Sequence, residues 1–330
     1  MSLIETAQVQ NGRRGIFSQK LVADAALLAV AVGAFFLFPY DLAFLTRILI
    51  MMILVLSLDL VLGYGGIATL GQAAMYGTGA YAAGLFAIHV WADPVAGLLV
   101  GAMAGAAIAF LSALVVMRAH GLTLLMLTIA AAQILQEVAN KARPVTGGAD
   151  GLRGIRMEPL FGSLKFDFIG QTGYWYALGV LCAVFAALKV ITASPFGLSV
   201  RGIKASPARM TAIGTSVYWR LVVLYTIGGA VAGIAGALAA QITSLVSLEA
   251  YSFSLSAEAL IMLILGGTGR LYGAILGAAI FMVVHHTAAS VDPFNWLFVI
   301  GAMVLAVVFF VPSGLLGLKD VVRSLMRRAS

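Results

Sequence analysis

The chain has 330 residues, 62% of them hydrophobic and 10% charged, with a net charge of +7 and a mean hydropathy of +1.04. That balance lies outside the range of ordinary water-soluble domains. It leaves no room for a soluble domain of useful size, gives no sign of a nucleic-acid partner, and makes membrane lipid the solvent of the fold.

Residues 1–20 read as a polar cytoplasmic segment. Its Arg13-Arg14 pair suggests an export signal, but 21–38 is long enough to span and a second apolar stretch follows at once, so the first span reads as a retained anchor. About twenty residues cross the hydrocarbon core, and on that measure ten crossings are expected, near 21–38, 43–62, 66–90, 95–117, 120–139, 174–192, 220–241, 256–268, 272–289 and 294–312. The expected fold is therefore all-α and polytopic. It has a transmembrane body over 21–312, a long outer loop near 140–173, an inner loop near 193–219 and a basic tail over 313–330. Ten crossings put both termini on one side. The inner segments then hold thirteen basic residues, among them Arg118, Arg201, Lys204, Arg209, Arg220 and Arg270, against five outside: Lys141, Arg143, Arg153, Arg156 and Lys165. That bias places the termini in the cytoplasm.

Five spans precede the outer loop and five follow it, so the halves enter the membrane from opposite sides, as in a 5+5 inverted repeat. The glycine-rich "LGYGGIATLGQAAMYGTGAYAAG" and "LGGTGRLYGAILGAAIF" fall in corresponding places of the two halves. Such paired irregular segments mark a pathway in repeat-built transporters. Alternatively they allow close helix contact, as the G-x-x-x-G spacings Gly97/Gly101/Gly105, Gly229/Gly233 and Gly273/Gly277 also suggest.

Several chemistries find no support. There is no phosphate-binding G-x-x-x-x-G-K-[ST] and no H-E-x-x-H. The single Cys182 sits in an apolar run, and the adjacent His285 and His286 point in different directions along a helix, so neither redox chemistry nor a metal site is expected. No charged residue falls near the middle of a span, where ion coupling normally places one. Asp24, Asp59 and Lys189 lie toward inner ends, and Arg47, Glu137 and Glu258 toward outer ends, each within reach of headgroups or a loop. Gln72, Gln133 and Gln241 are the deepest strongly polar side chains. Thr69, Gln72 and Glu258 are the candidates for facing a translocation pathway. The chain reads as a transport subunit rather than an enzyme, with its energy source on another subunit; a self-powered, ion-coupled secondary transporter is the alternative.

An inner-face partner needs a docking element, and "SPFGLSVRGIKASPARMTAIG" (194–214) offers one. Ser206 suits an N-cap, Pro207 the first helical position and Gly214 the C′ position, so 207–213 reads as a two-turn helix with Met210 and Ile213 on one face. Its apolar face docks either on this chain's own inner surface or on another chain, and its basic residues also serve simply to fix topology.

"RGIKASPARMTAIGTSVYWRLVVLYTIGGAVAGIAGAL", then "SFSLSAEALIMLILGGTGRLYGAILGAAI", together with "LGYGGIATLGQAAMYGTGAY" and "TGGADGL", resemble the permeases of ATP-driven branched-chain amino-acid importers, over about 54–318. The resemblance implies a second homologous permease, two cytoplasmic ATP-binding subunits that carry the ATP and magnesium, and a periplasmic solute-binding protein. No cofactor is implied for this chain, and the expected location is the bacterial inner membrane. It further implies that Arg201, Lys204, Pro207, Met210, Ile213 and Gly214 couple to an ATP-binding subunit, and that Asp150 is a contact for the binding protein unless its glycine-rich segment serves only as turns. Pro207 and Thr211 stand where many members carry acids. Relatives serve branched-chain amino acids, urea, short amides and small carboxylic or aromatic acids, and selectivity is expected largely in the binding protein.

Overall fold

The computed structural model describes residues 24–159 and 170–291, with scattered positions from 298 to 314. The N-terminal segment, most of the expected tenth span and the basic tail lie outside the described residues. The described chain is all-α apart from one two-residue ribbon. In lipid every backbone amide must find its partner inside the protein, which favours helices.

In chain order the main helices are α1 (Asp24–Leu37), α2 (Leu42–Leu58), α3 (Gln72–His89), α4 (Pro94–Val116), α5 (Leu122–Lys141) and the single turn α6 (Arg143–Thr146). Then come α7 (Gln171–Ala193), α8 (Pro195–Ala205), α9 (Pro207–Ala212), α10 (Val217–Thr243), α11 (Phe253–Gly266) and α12 (Leu271–Val291). A π-helical turn, Asp59–Tyr64, extends α2. Among the described residues six helices are long and apolar enough to cross a membrane: α2 with its π-turn, α4, α5, α7, α10 and α12. α1 and α11 are shorter apolar helices. Exposed Leu99, Met103, Met126, Ile134 and Val190 on α4, α5 and α7 suit lipid or a neighbouring helix.

The third expected span, 66–90, is helical only from Gln72. Residues 65–71 have no helical structure, and five of their amides are met within the protein: Gly65 N donates to Leu60 O, Gly66 N to Leu62 O, Ile67 N to Val61 O, Leu70 N to Thr128 Oγ1 and Gly71 N to Thr69 Oγ1. Irregular backbone at membrane depth is tolerated where protein encloses it in this way.

α10 is the central helix, packed on α2, α3 and α4. Its glycines set the separation. A Cβ at Gly233 would lie 2.3 Å from Gly101 O, one at Gly105 would lie 2.4 Å from Gly229 O, and one at Gly79 would lie 2.4 Å from Gly233 O. The same device joins α11 to α12, where a Cβ at Gly266 would lie 1.9 Å from Gly273 O. The G-x-x-x-G spacings are thus helix crossings, in which small residues let backbones touch.

Polar side chains inside the body tie helices together. Tyr176 Oη donates to Gln241 Oε1 at 2.8 Å, and Gln241 Nε2 donates to Pro94 O at 2.8 Å, joining α7, α10 and the start of α4. Gln241→Leu removes both bonds and is expected to lower stability by about 1–3 kcal/mol, read as a lower melting temperature of the purified protein; an unchanged melt would show the bonds to be energetically neutral. Gln133, by contrast, is exposed on α5. At the other end of the bundle Asp24 pairs with Lys189 and accepts from Tyr272 Oη, so α1 is held to α7 and α12 by one neutralised acid.

Candidate functional site

The two ends of the bundle carry different features. At one end α8 begins on Ser194, whose Oγ accepts from Gly197 N at 3.3 Å, with Pro195 in the first turn. Its buried face is Gly197, Val200 and Ile203, spaced three apart, which turns the basic residues to its other sides. Arg201 stacks its guanidinium 4.8 Å from the centroid of the Tyr64 ring, and Lys204 Nζ donates to Gly63 O at 2.5 Å. Both cations therefore hold α8 against the π-turn that ends α2. Extended backbone at Ser206 (φ −163°) then starts α9.

α9 ends one residue earlier than expected, with Ile213 as its cap and Gly214 in the left-handed region (φ +84°). Gly214 N donates to Thr211 O at 2.9 Å and Thr215 N to Met210 O at 3.0 Å, which closes the helix end. Met210 and Ile213 do not share one role. Met210 packs on α8, where a Cβ at Gly202 would come 2.7 Å from its Sδ, whereas Ile213 is 73% exposed. No residue of α9 is buried, and Pro207 is exposed.

The π-turn beneath α8 also reaches the connection between α11 and α12. Asp59 Oδ1 accepts from Gly269 N at 2.6 Å, and a Cβ at Gly63 would lie 2.5 Å from that same nitrogen. The glycine-rich breaks that follow α2 and α11 thus meet in space. Asp59 is fully buried, and its Oδ2 has no hydrogen-bond partner. π-turns recur at functional sites, and this one connects α8 to two spans.

Thr69 and Gln72 are also buried, in a polar seam at the start of α3. Ser57 Oγ donates to Gln72 Oε1 at 3.3 Å, Thr69 Oγ1 lies 3.4 Å from Tyr225 Oη, and Ala73 N donates to Ser256 Oγ at 2.9 Å. The seam satisfies groups freed where the helix breaks. Neither residue lines the large cavity described next.

That cavity, about 850 Å³, lies at the opposite end from α9, between the starts of α2 and α11, the end of α10 and the middle of α3. Arg47, Tyr76, Thr243, Glu249, Ser252 and Glu258 give it polar lining. Beside it β1 (Leu152–Arg153) pairs antiparallel with β2 (Leu245–Val246), Leu152 opposite Val246. The ribbon ties the long loop to the α10–α11 connector. Asp150 is exposed in a 3₁₀ turn just before it. The glycines around Asp150 are turn-formers: Gly147, Gly148 and Gly151 all have positive φ, and a Cβ at Gly151 would meet Val246 O at 2.6 Å. Of the three pathway candidates, only Glu258 reaches the cavity. Arg47 does not stand out in the sequence because it sits near a span end, where a headgroup explains a charge equally well, and Glu249 because it falls in an expected outer loop.

Residues 41–308 match the family model described as "branched-chain amino acid transport system / permease component". The chain belongs to this family. The permease is 29% identical over 320 residues to the high-affinity branched-chain amino acid transport system permease protein LivM of Escherichia coli (strain K12), a match covering 88% of this chain and 73% of that protein. It is 27% identical over 324 residues to LivM of Salmonella typhimurium, covering 90% and 75%. A probable branched-chain amino acid transport permease protein LivM of Methanocaldococcus jannaschii is 23% identical over 192 residues, covering 54% and 56%. No solved structure matches the permease.

Proposed function

We propose that this permease forms a solute pathway of an ATP-driven importer, working with a second, homologous permease, two ATP-binding subunits on the α8–α9 side and a soluble binding protein on the ribbon side. The observation that carries the reading is α9. It is a short helix with no buried residue, and it is braced through α8, Arg201 and Lys204 on the end of a central span. A helix this short is unstable alone, so its exposed Ile213 suits a groove in a partner. In this reading Arg201 and Lys204 transmit motion to α2, Met210 fixes α9 on α8, and Pro207, Ile213 and Gly214 shape the contact. ATP and magnesium belong to the partner subunits, and the permease itself binds no cofactor.

The binding protein docks near Asp150. The permease lies in a bacterial inner membrane with ten crossings, both termini cytoplasmic and a 5+5 repeat, a reading supported by the contact between its two glycine-rich breaks. Branched-chain amino acids are the proposed solutes, after the printed names of the relatives.

Asp59 favours the second reading, an ion-coupled carrier, since such carriers use a buried acid. The two separate in one experiment: a mild-detergent pull-down of the tagged chain, followed by uptake into liposomes with and without ATP. Co-purification of two ATP-binding proteins and a second permease, with ATP-dependent uptake, is expected. A chain that purifies alone and moves solute down an ion gradient would overturn the importer.

A further inference from the structure

Besides the exposed Glu249 of the α10–α11 connector, the cavity beside the ribbon holds two opposite charges on its helices that are not paired with each other. Arg47 and Glu258 each stand five residues into helices that begin at that end, α2 at Leu42 and α11 at Phe253. At 1.5 Å per residue both lie about 8 Å inside. Both line the cavity, and the guanidinium acts electrostatically on the carboxylate. Yet the ion pairs among the described residues, Lys141–Glu137 and Lys189–Asp24, include neither.

Arg47 is exposed and Glu258 half-buried in the isolated chain; opposite charges held apart at one level of the membrane spans are costly, and the cost falls when a ligand bridges them. A guanidinium binds a carboxylate through two parallel hydrogen bonds, and a carboxylate binds an ammonium. Ile50, Met51 and Leu255 add an apolar wall from the same two helices. A volume of about 850 Å³ is ample for one small solute. Urea or an amide would leave both charges unmatched, and a simple carboxylic acid would leave Glu258 unmatched.

We propose that this cavity is a subsite for a zwitterionic aliphatic α-amino acid within the permease: Arg47 takes the α-carboxylate, Glu258 the α-ammonium, and Ile50, Met51 and Leu255 the side chain. The proposal rests on the importer reading and adds to it, because it gives this chain a selectivity of its own beyond that of the binding protein.

The test uses the assembled complex without its binding protein and three probes: leucine, 4-methylpentanoate, which lacks the ammonium, and 3-methylbutylamine, which lacks the carboxylate. Saturation-transfer NMR measures their binding, and ATP-dependent leucine uptake is measured in parallel with the binding protein added back. Leucine is expected to bind at least tenfold more tightly than either analogue. Glu258→Gln lowers leucine affinity tenfold or more without changing that of 4-methylpentanoate, and Arg47→Gln does the same with the amine as the unchanged probe. Analogues that bind as well as leucine, or leucine binding that both variants leave unchanged, overturn the subsite. The analogue series needs no variant, so a substitution that fails to assemble leaves the test intact. Uptake that persists without ATP overturns the importer reading itself, whereas ATP-driven uptake with indistinguishable analogues overturns the subsite alone.

Discussion

Ile213→Asp is expected to abolish ATP-driven uptake and the retention of ATP-binding subunits in a detergent pull-down, while membrane insertion and melting temperature stay at the unmodified level. Ile213 is 73% exposed and caps a helix that buries nothing, so a carboxylate there meets water in the isolated chain and costs little. In a closed contact the same carboxylate loses its water and finds no partner, at a cost of several kcal/mol. Each 1.4 kcal/mol is about tenfold in affinity, so docking weakens by about a hundredfold or more. Met210→Asp is expected to differ in kind. Its Sδ packs against Gly202, and the charge would loosen α9 from α8 as well as weaken docking, which lowers the melting temperature too. Unchanged uptake in the Ile213 variant would remove α9 from the coupling path, whatever Met210 does.

The second large effect is in the helix crossings. Gly236→Val places a Cβ 1.9 Å from Tyr76 O and 3.0 Å from Ala80 N, both backbone atoms of α3. A flexible side chain could swing aside, but a helix backbone can move only as a body, and α10 and α3 would have to part along their length. Overpacking of this kind costs about 1–3 kcal/mol or more, and here the neighbouring contact of Gly79 with Gly233 is lost with it. The expected result is a variant that accumulates poorly and unfolds at clearly lower temperature or denaturant. Gly179→Ala on α7 is the control, because nothing lies within 4 Å of its added Cβ. It should keep the stability of the unmodified chain or gain up to about 1 kcal/mol through better helix propensity. A Gly236→Val chain that melts like the control would mean that α3 and α10 are not in backbone contact.

The all-α class, the helical segments and the close glycine crossings could be read from residue order, because span length and small-residue spacing are local properties. So could the short helix at Pro207, since proline and glycine act within one turn, although the Ser206 side chain makes no cap bond. What could not be read is which of those segments stay helical through their whole length. The break at residues 65–71 depends on Thr128, fifty-eight positions from Leu70, and the start of α3 depends on Ser256, 183 positions from Ala73. Nor does residue order show that Lys204 donates to Gly63 O, 141 positions away, and so braces α8 on the end of α2. The charged cavity was hidden for a related reason. Glu258 is a pathway candidate in the sequence, but Arg47 looks like a headgroup anchor until their helices, 211 positions apart, are placed side by side.

The Asp24–Lys189–Tyr272 cluster has a consequence for how the chain is made. Lys189 follows Asp24 by 165 residues and Tyr272 by 248. At about 5–20 residues per second a ribosome reaches Lys189 roughly 8–33 seconds after Asp24, and Tyr272 later still. Throughout that interval the first helix carries an acid with neither of its final partners yet synthesised. It is the first of the described helices to be translated, and it cannot be fully seated until α12, which carries Tyr272, has been made.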